Sequence, residues 1–323
     1  MFSNFSRLVL LIFLPAFTAV AALASPADSK LLALVPAGAQ FVAGIENPHH
    51  PPEKGWLLLL TRKTSLDLQD WIALSSVDPH RRVDEIIEVA ASLGGKDLSE
   101  HLVLLAGPFD QKLIYHSALA NGASPTGYGG QSVLAVKPFP REKEEMSASR
   151  WLVILDNRMA IFGSPELVRR ALDRYRSRSG PDPLLAQHLR ELHPDVSSWN
   201  VLAMSAAMFA RNVESEQLHA PWTHVLDGAD EFTFGIHYGS TDRIDFAIHT
   251  VSSHKASSLA AALIQPRMMP VELSASMRTK LQNLSVEQSL VRGSFLVPAR
   301  QIVRLLASDP ARESYGANSP LQP

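Results

Sequence analysis

Twelve histidines and 32 acidic residues, in a chain of 323 residues with no cysteine, decide which chemistries are open. Without a thiol there is no cysteine nucleophile, no thiolate metal ligand, no disulfide and no lipidated N-terminal cysteine. A helical zinc site wants two histidines at i, i+4, and no pair here has that spacing. His188 and His193, His219 and His224, and His249 and His254 are each five apart, which puts them on different faces of a helix. His49-His50 with Glu53 is the densest group, and the flanking prolines read as a solvated loop. The expectation is no metal and no cofactor.

Hydroxyl and phosphate chemistry give equally little. No serine stands in a Gly-x-Ser-x-Gly elbow. Gly163-Ser164-Pro165 joins a strand to a helix, and its ordinary reading is a start signal: Ser164 caps, Pro165 takes the first helical position, and Glu166 faces the positive helix end. Gly94-Gly95-Lys96 has Ala90 where a phosphate loop needs glycine and Asp97 where it needs a hydroxyl. Gly127-Tyr128-Gly129-Gly130 lacks the dinucleotide spacing and precedes a strand, which makes it a turn.

Two groupings remain. In the hairpin from Glu231 to Val251, Phe232, Phe234, Ile236 and Tyr238 alternate, as do Ile244, Phe246 and Ile248. Pairing Tyr238 with Ile244 sets His237 opposite Asp245 on the solvent side, a weak acid/base candidate with no third group to complete it. The second grouping is Arg169, Arg170, Arg174, Arg176 and Arg178 on one helix and its exit, with Val168, Ala171, Leu172 and Tyr175 as the buried stripe. These arginines form a candidate surface for an acidic partner, and neutralising Arg169, Arg170 and Arg174 together is expected to leave the fold nearly intact.

The elements that position these residues alternate along the chain. Strands are expected at Ala39–Ile45 and Trp56–Thr61 (a hairpin with a long loop), His101–Pro108, Gln131–Val136, Trp151–Phe162 (broken by the turn residues Asp156-Asn157), Trp199–Met204 and Val286–Val297. Helices are expected at Leu66–Leu74, Val83–Ala91, Gln111–Ala120 with Asp110 as its N-cap, 165–175, Leu184–Leu192, Ala206–Val213, Lys255–Ile264 and Ala299–Leu306. In the second of these helices Val83, Ile86, Ile87 and Ala90 fall on one 3.6-residue face.

Arg7 followed by the apolar run Leu8–Leu23, with Ala22 and Ala24 at the small-residue positions, reads as a signal peptide over 1–24, cleaved before Ser25. The run is 16 residues long and contains Pro15, too short for a stable span. Cleavage leaves 29 basic and 32 acidic residues, a formal charge of −3 that asks for neither nucleic acid nor anionic lipid. The expected location is the periplasm or the exterior. With 46% hydrophobic and 19% charged residues, the mature chain is long enough to fold without disulfides.

The break at 177–183 separates two series of elements, 25–176 and 184–307, and 308–323 reads as a disordered tail. At an offset of 135 residues, Leu167-Val168-Arg169 lies on Ile302-Val303-Arg304 and Phe162 on Val297, which points to an internal repeat. The expected fold class is α+β: two similar halves, each a mostly antiparallel sheet with helices packed on one face.

Val35-Pro36-Ala37-Gly38-Ala39-Gln40-Phe41-Val42-Ala43-Gly44-Ile45 sets a Val-Pro turn before an apolar strand at the start of the mature chain. With Gly107-Pro108-Phe109-Asp110, Tyr128-Gly129-Gly130 and Phe162-Gly163-Ser164-Pro165 followed by Val168 and Ala171-Leu172, it resembles uncharacterised bacterial exported α+β proteins, a domain-of-unknown-function family. The resemblance covers about the first half of the chain, implies a secreted or periplasmic α+β protein and carries over no functional residue. The functional expectation is an exported, non-enzymatic binding or interaction protein whose partner is an envelope or secreted protein or an acidic ligand. The alternative is a cell-envelope hydrolase with a scattered site.

Overall fold

The computed structural model describes residues 25–46, 66–91, 100–137, 149–203, 228–264 and 281–298. In chain order these form two 3-10 turns (Pro26–Asp28, Lys30–Leu34), β1 (Phe41–Glu46), α1 (Leu66–Ser75), the single-turn α2 (Pro79–Arg82), β2 (Glu85–Ala90), β3 (His101–Ala106), α3 (Gln111–Ala120), β4 (Ser124–Tyr128), β5 (Gln131–Val136), β6 (Arg150–Leu155) and β7 (Met159–Gly163). Then follow α4 (Pro165–Ser177), α5 (Pro183–Arg190), β8 (Ser198–Ala203), β9 (Ala229–His237), β10 (Thr241–Thr250), α6 (Ser253–Ile264), β11 (Leu281–Glu287) and β12 (Leu290–Pro298). The strands make one twelve-stranded sheet in the order β11-β12-β10-β9-β8-β1-β2-β3-β7-β6-β5-β4, antiparallel throughout.

The α+β class holds, but helices cover both faces of this sheet rather than one. On the first face, the 3-10 turns, α4 and α5 place Leu31, Leu32, Leu172 and Leu189 over Ile87, Leu102, Leu104, Ile161 and Trp199. On the second, Trp71 of α1 and Ile114 of α3 lie over Ile86, Leu105, Ile154 and Phe162, and Leu259 of α6 lies over Phe232, Phe246 and Ile248. Strand alternation shows that α1, α3 and α6 share a face: Ile45 packs with the α1 cluster, has the parity of Phe41, and Phe41 pairs with Leu202, which pairs with Phe232. The reason is visible in β3, His-Leu-Val-Leu-Leu-Ala, where four consecutive buried apolar side chains point both ways and need cover on both sides.

The same physics corrects the helix expected over Val83–Ala91, which is strand β2. Its apolar residues fit a helical stripe, yet in the sheet Ile86 enters the core under α1 and α3 while Ile87 and Val89 enter the core under the 3-10 turns. A short β-branched run buried on both sides carries both periods at once. The strand expected over Val286–Val297 is the hairpin β11–β12, turning at Gln288 with φ of 54°. Strand β4 and the 3-10 turns had no expected counterpart. The neighbours of β1 are β2 and β8, not the 56–61 segment. That segment, the elements expected at 206–213 and 299–306, the signal region and the tail lie outside the described residues.

Along the chain, the first series places its strands as β1-β2-β3-β7-β6, extended by β5 and β4, and the second as β8-β9-β10-β12-β11. Each has a helix, α3 or α6, between the third strand and the hairpin that returns beside it. The first strands of the two series, β1 and β8, pair directly, so the sheet is continuous.

Candidate functional site

Helix α5 is set by local signals. Asp182 accepts hydrogen bonds from the backbone N–H of Leu184 and Leu185 at 2.9 and 3.3 Å, and Pro183 occupies the first turn. Leu185, Ala186, Leu189 and Leu192 form the buried stripe, and His188 falls within it. The helix therefore carries an imidazole into the first-face core, where only 2% of it remains exposed.

Beneath α5, β9 and β10 supply the partners. Glu231 and His249 are directly paired across the two strands, and the register slips between His249 and Thr250. His188 Nε2 lies 2.9 Å from Glu231 Oε2, and His188 Nδ1 lies 3.6 Å from Glu191 Oε2. Both are ion pairs, the first at hydrogen-bonding distance and the second beyond it. His249 Nε2 lies 2.8 and 3.0 Å from the two oxygens of Glu191, and its ring meets that of His188 edge to face at 4.9 Å. Ligand atoms of His188, Glu191 and His249 all fall within 4.8 Å of one another.

Electrostatics follow from this packing. Burial alone would lower the pKa of His188, but the Glu191 and Glu231 carboxylates outweigh it and raise it to about 9. Burial would raise Glu191, and the two imidazoles instead hold it at about 2. Contact with His188 also holds Glu231 below the usual carboxylate range. The group is two carboxylates closing on imidazoles, a cation-attracting arrangement.

Spacing along the chain does not reveal this cluster, because two of its four members, Glu231 and His249, are distant in sequence from His188 and Glu191. The one local signal is His188-x-x-Glu191, with its i, i+3 geometry at a helix end. The His49-His50-Glu53 group lies outside the described residues.

The weak acid/base candidates are not a couple. The β9–β10 register is two residues from the expected one: His237 stands opposite Arg243, and Asp245 opposite Gly235. Around Gly235 this face is covered by Leu192 and Val196, while His237 remains 38% exposed. Asp245, 6% exposed, receives Arg243 Nε at 3.0 and 3.1 Å and the Ser294 hydroxyl at 2.7 Å. Arg243 also pairs with Asp195, which pairs with His193, and His237 Nδ1 lies 2.9 Å from the Asp195 carbonyl. This second network ties the 191–197 segment to the sheet.

The five arginines have unlike roles. Arg169 stacks on the Trp151 ring at 4.7 Å, and Arg170 pairs with Glu166 at 3.1 Å. Arg174 is not a free surface charge, because its Nε donates to the Ala33 carbonyl at 2.8 Å and its Nη2 to that of Gly180. Arg176 faces Asp173 at 3.7 Å, and Arg178 closes α4 in the left-handed region at φ 52°. Ser164 holds the N-cap backbone geometry, but its hydroxyl is buried without a hydrogen bond, so capping there is by conformation alone.

An open depression of roughly 530 Å³ lies where β3 passes into α3, lined by Pro108, Phe109, Asp110, Gln111, Lys112, Asn157 and Arg158. Asp110 is committed as the N-cap of α3 through Leu113 N–H at 3.1 Å. A hydrogen bond from Tyr175 to Asp156 ties the last turn of α4 to the β6–β7 turn, which brings Arg178 and Arg158 to the same end of the sheet.

Fold and site together define an antiparallel α+β sheet protein, covered on both faces, with a His–Glu cluster under one helix. No known family model and no curated protein matches the chain. Among solved structures it is similar to TP0453 in its crystal form I, at 10% identity and a TM-score of 0.46, over 86% of this chain and 96% of that one. Nothing beyond that distant likeness of shape is carried over.

Proposed function

We propose that this chain is an exported, non-enzymatic binding protein of two similar halves that takes an acidic partner. One observation carries the non-enzymatic reading. The best-placed imidazole, His188, is shut under α5 with 2% exposure, while the open depression is lined by no histidine, serine or second carboxylate. Acid–base catalysis needs its titratable group within hydrogen-bond reach of a substrate. Lys112, Arg158 and Arg178, all exposed at one end, supply the positive surface. Export rests on the residues of the 1–24 segment, and the duplication is supported by the 1-2-3-5-4 strand order of the second series, which the first series repeats once its added hairpin β4–β5 is set aside.

The test is retention of the purified chain on poly-glutamate resin. A protein of net charge −2 is repelled on average, so retention at low salt that is lost at high salt requires a concentrated positive patch. The triple substitution Lys112→Glu, Arg158→Glu, Arg178→Glu should abolish it. Flow-through of the native chain would overturn the acidic-partner reading, and turnover of an ester or peptide substrate abolished by His249→Ala would establish the hydrolase instead.

A further inference from the structure

We propose that His188, Glu191 and His249 form a site for one zinc-class divalent cation, with Glu231 as the outer partner that orients His188. Four observations carry it. The three donor atoms already converge within 4.8 Å. Zinc ligands at roughly 2.0–2.2 Å from a tetrahedral metal stand about 3.3 Å apart. The observed separations from Glu191, 2.8 Å to His249 and 3.6 Å to His188, bracket that value.

The second observation is a buried imidazole nitrogen that faces the other donors without a hydrogen bond. His188 is 2% exposed, and its Nδ1, 3.6 Å from Glu191 Oε2, has no hydrogen-bond partner. Polar groups buried this deeply are ordinarily satisfied, and a cation would satisfy Nδ1. Third, Glu231 lies 2.9 Å from Nε2, on the other side of the ring from the converging donors. A carboxylate behind a ligating histidine fixes its tautomer and raises its basicity.

Fourth, the scaffold is rigid where it must be. Glu231 and His249 sit at paired positions of adjacent strands, and Asp182 and the leucine stripe pin α5 above them. Two imidazoles and one carboxylate favour zinc over calcium or magnesium, which prefer all-oxygen shells. Three protein ligands leave a coordination position on the side of half-buried His249, 22% exposed. This inference stands apart from the acidic-partner reading, since loss of polyanion binding would leave the cluster unchanged.

The experiment titrates the metal-stripped mature chain with Zn2+ alone against a chromogenic chelator, with Co2+ absorption reporting the ligand set. One equivalent should bind, and Co2+ should give the intense visible bands of a low-coordinate site. Glu231→Gln should weaken affinity by about 10–100-fold, as loss of outer partners does, and His249→Ala should weaken it further. His249 is half-buried, so that variant should keep its circular dichroism spectrum. The His49→Ala, His50→Ala double variant should bind like the native chain. Absence of stoichiometric binding, native affinity in His249→Ala, or loss of binding in the His49/His50 variant would each overturn the site.

Discussion

Glu231 on β9 and His249 on β10 stand directly opposite one another, and each contacts a different residue of the α5 end, His188 and Glu191 respectively. One strand register therefore fixes both halves of the cluster. A two-residue slip would keep both side chains on the same face yet separate them along the strands by two residue rises, roughly 7 Å. The hairpin's expected register differs from the observed one by that amount, so the cluster exists only in the pairing that the sheet adopts.

Glu85 makes folding pH-dependent. It is half-buried opposite Glu46 on β1, and burial first, then the Glu46 charge, raise its pKa to about 7 despite a hydrogen bond from Ser29. A carboxyl raised in the folded state binds more protons folded than unfolded, so its stability contribution is full below about 4.5 and lost as pH rises through about 7. The loss amounts to up to about 3 kcal/mol. Denaturation of Glu85→Gln between pH 4 and 8 should show that slope flattened and the pH 8 stability raised. An unchanged slope would assign the dependence to other groups.

Arg174 and Arg170 lie one helical turn apart and should differ sharply. Arg174→Ala removes two hydrogen bonds from a charged donor to the Ala33 and Gly180 carbonyls, at a cost of about 1.5–3 kcal/mol each at most. Arg170→Ala breaks only an exposed i, i+4 pair with Glu166, worth about 0.3–0.5 kcal/mol. Urea midpoints measured side by side decide this, and equal midpoints would return Arg174 to the surface set.

Gly163 ends β7 where a Cβ would stand 2.3 Å from the His101 carbonyl oxygen of β3. That neighbour is backbone, so Gly163→Ala must part the β3–β7 pairing, and overpacking of this kind costs about 1–3 kcal/mol or more. Gly44 faces the Trp199 indole at 2.2 Å, a side chain that can turn. Thermal unfolding should therefore place Gly163→Ala below Gly44→Ala, and the reverse order would show the indole to be the more rigid neighbour.

Capping and amphipathic signals were legible in the sequence. Asp110 before Gln111–Ala120, the apolar stripe of Pro165–Ser177 and the Asp156-Asn157 turn depend on neighbours within a few residues, and the structure places them as read. Over Val83–Ala91 the apolar positions satisfy a helix stripe and a two-sided strand equally. Only the presence of β1 and β3 on its edges decides between them.

The sequence by itself determined the absence of thiol chemistry, the alternation of short strands and helices, and the apolar positions of each, because composition and local periodicity are properties of the chain. Tertiary structure alone decided that β1 and β8 join both series into one sheet, that helices cover both its faces, and that His188 meets residues 43 and 61 positions away, Glu231 and His249. Such contacts depend on strand register and helix docking, which are set by burial summed over the whole core, and no spacing rule along the chain encodes that sum.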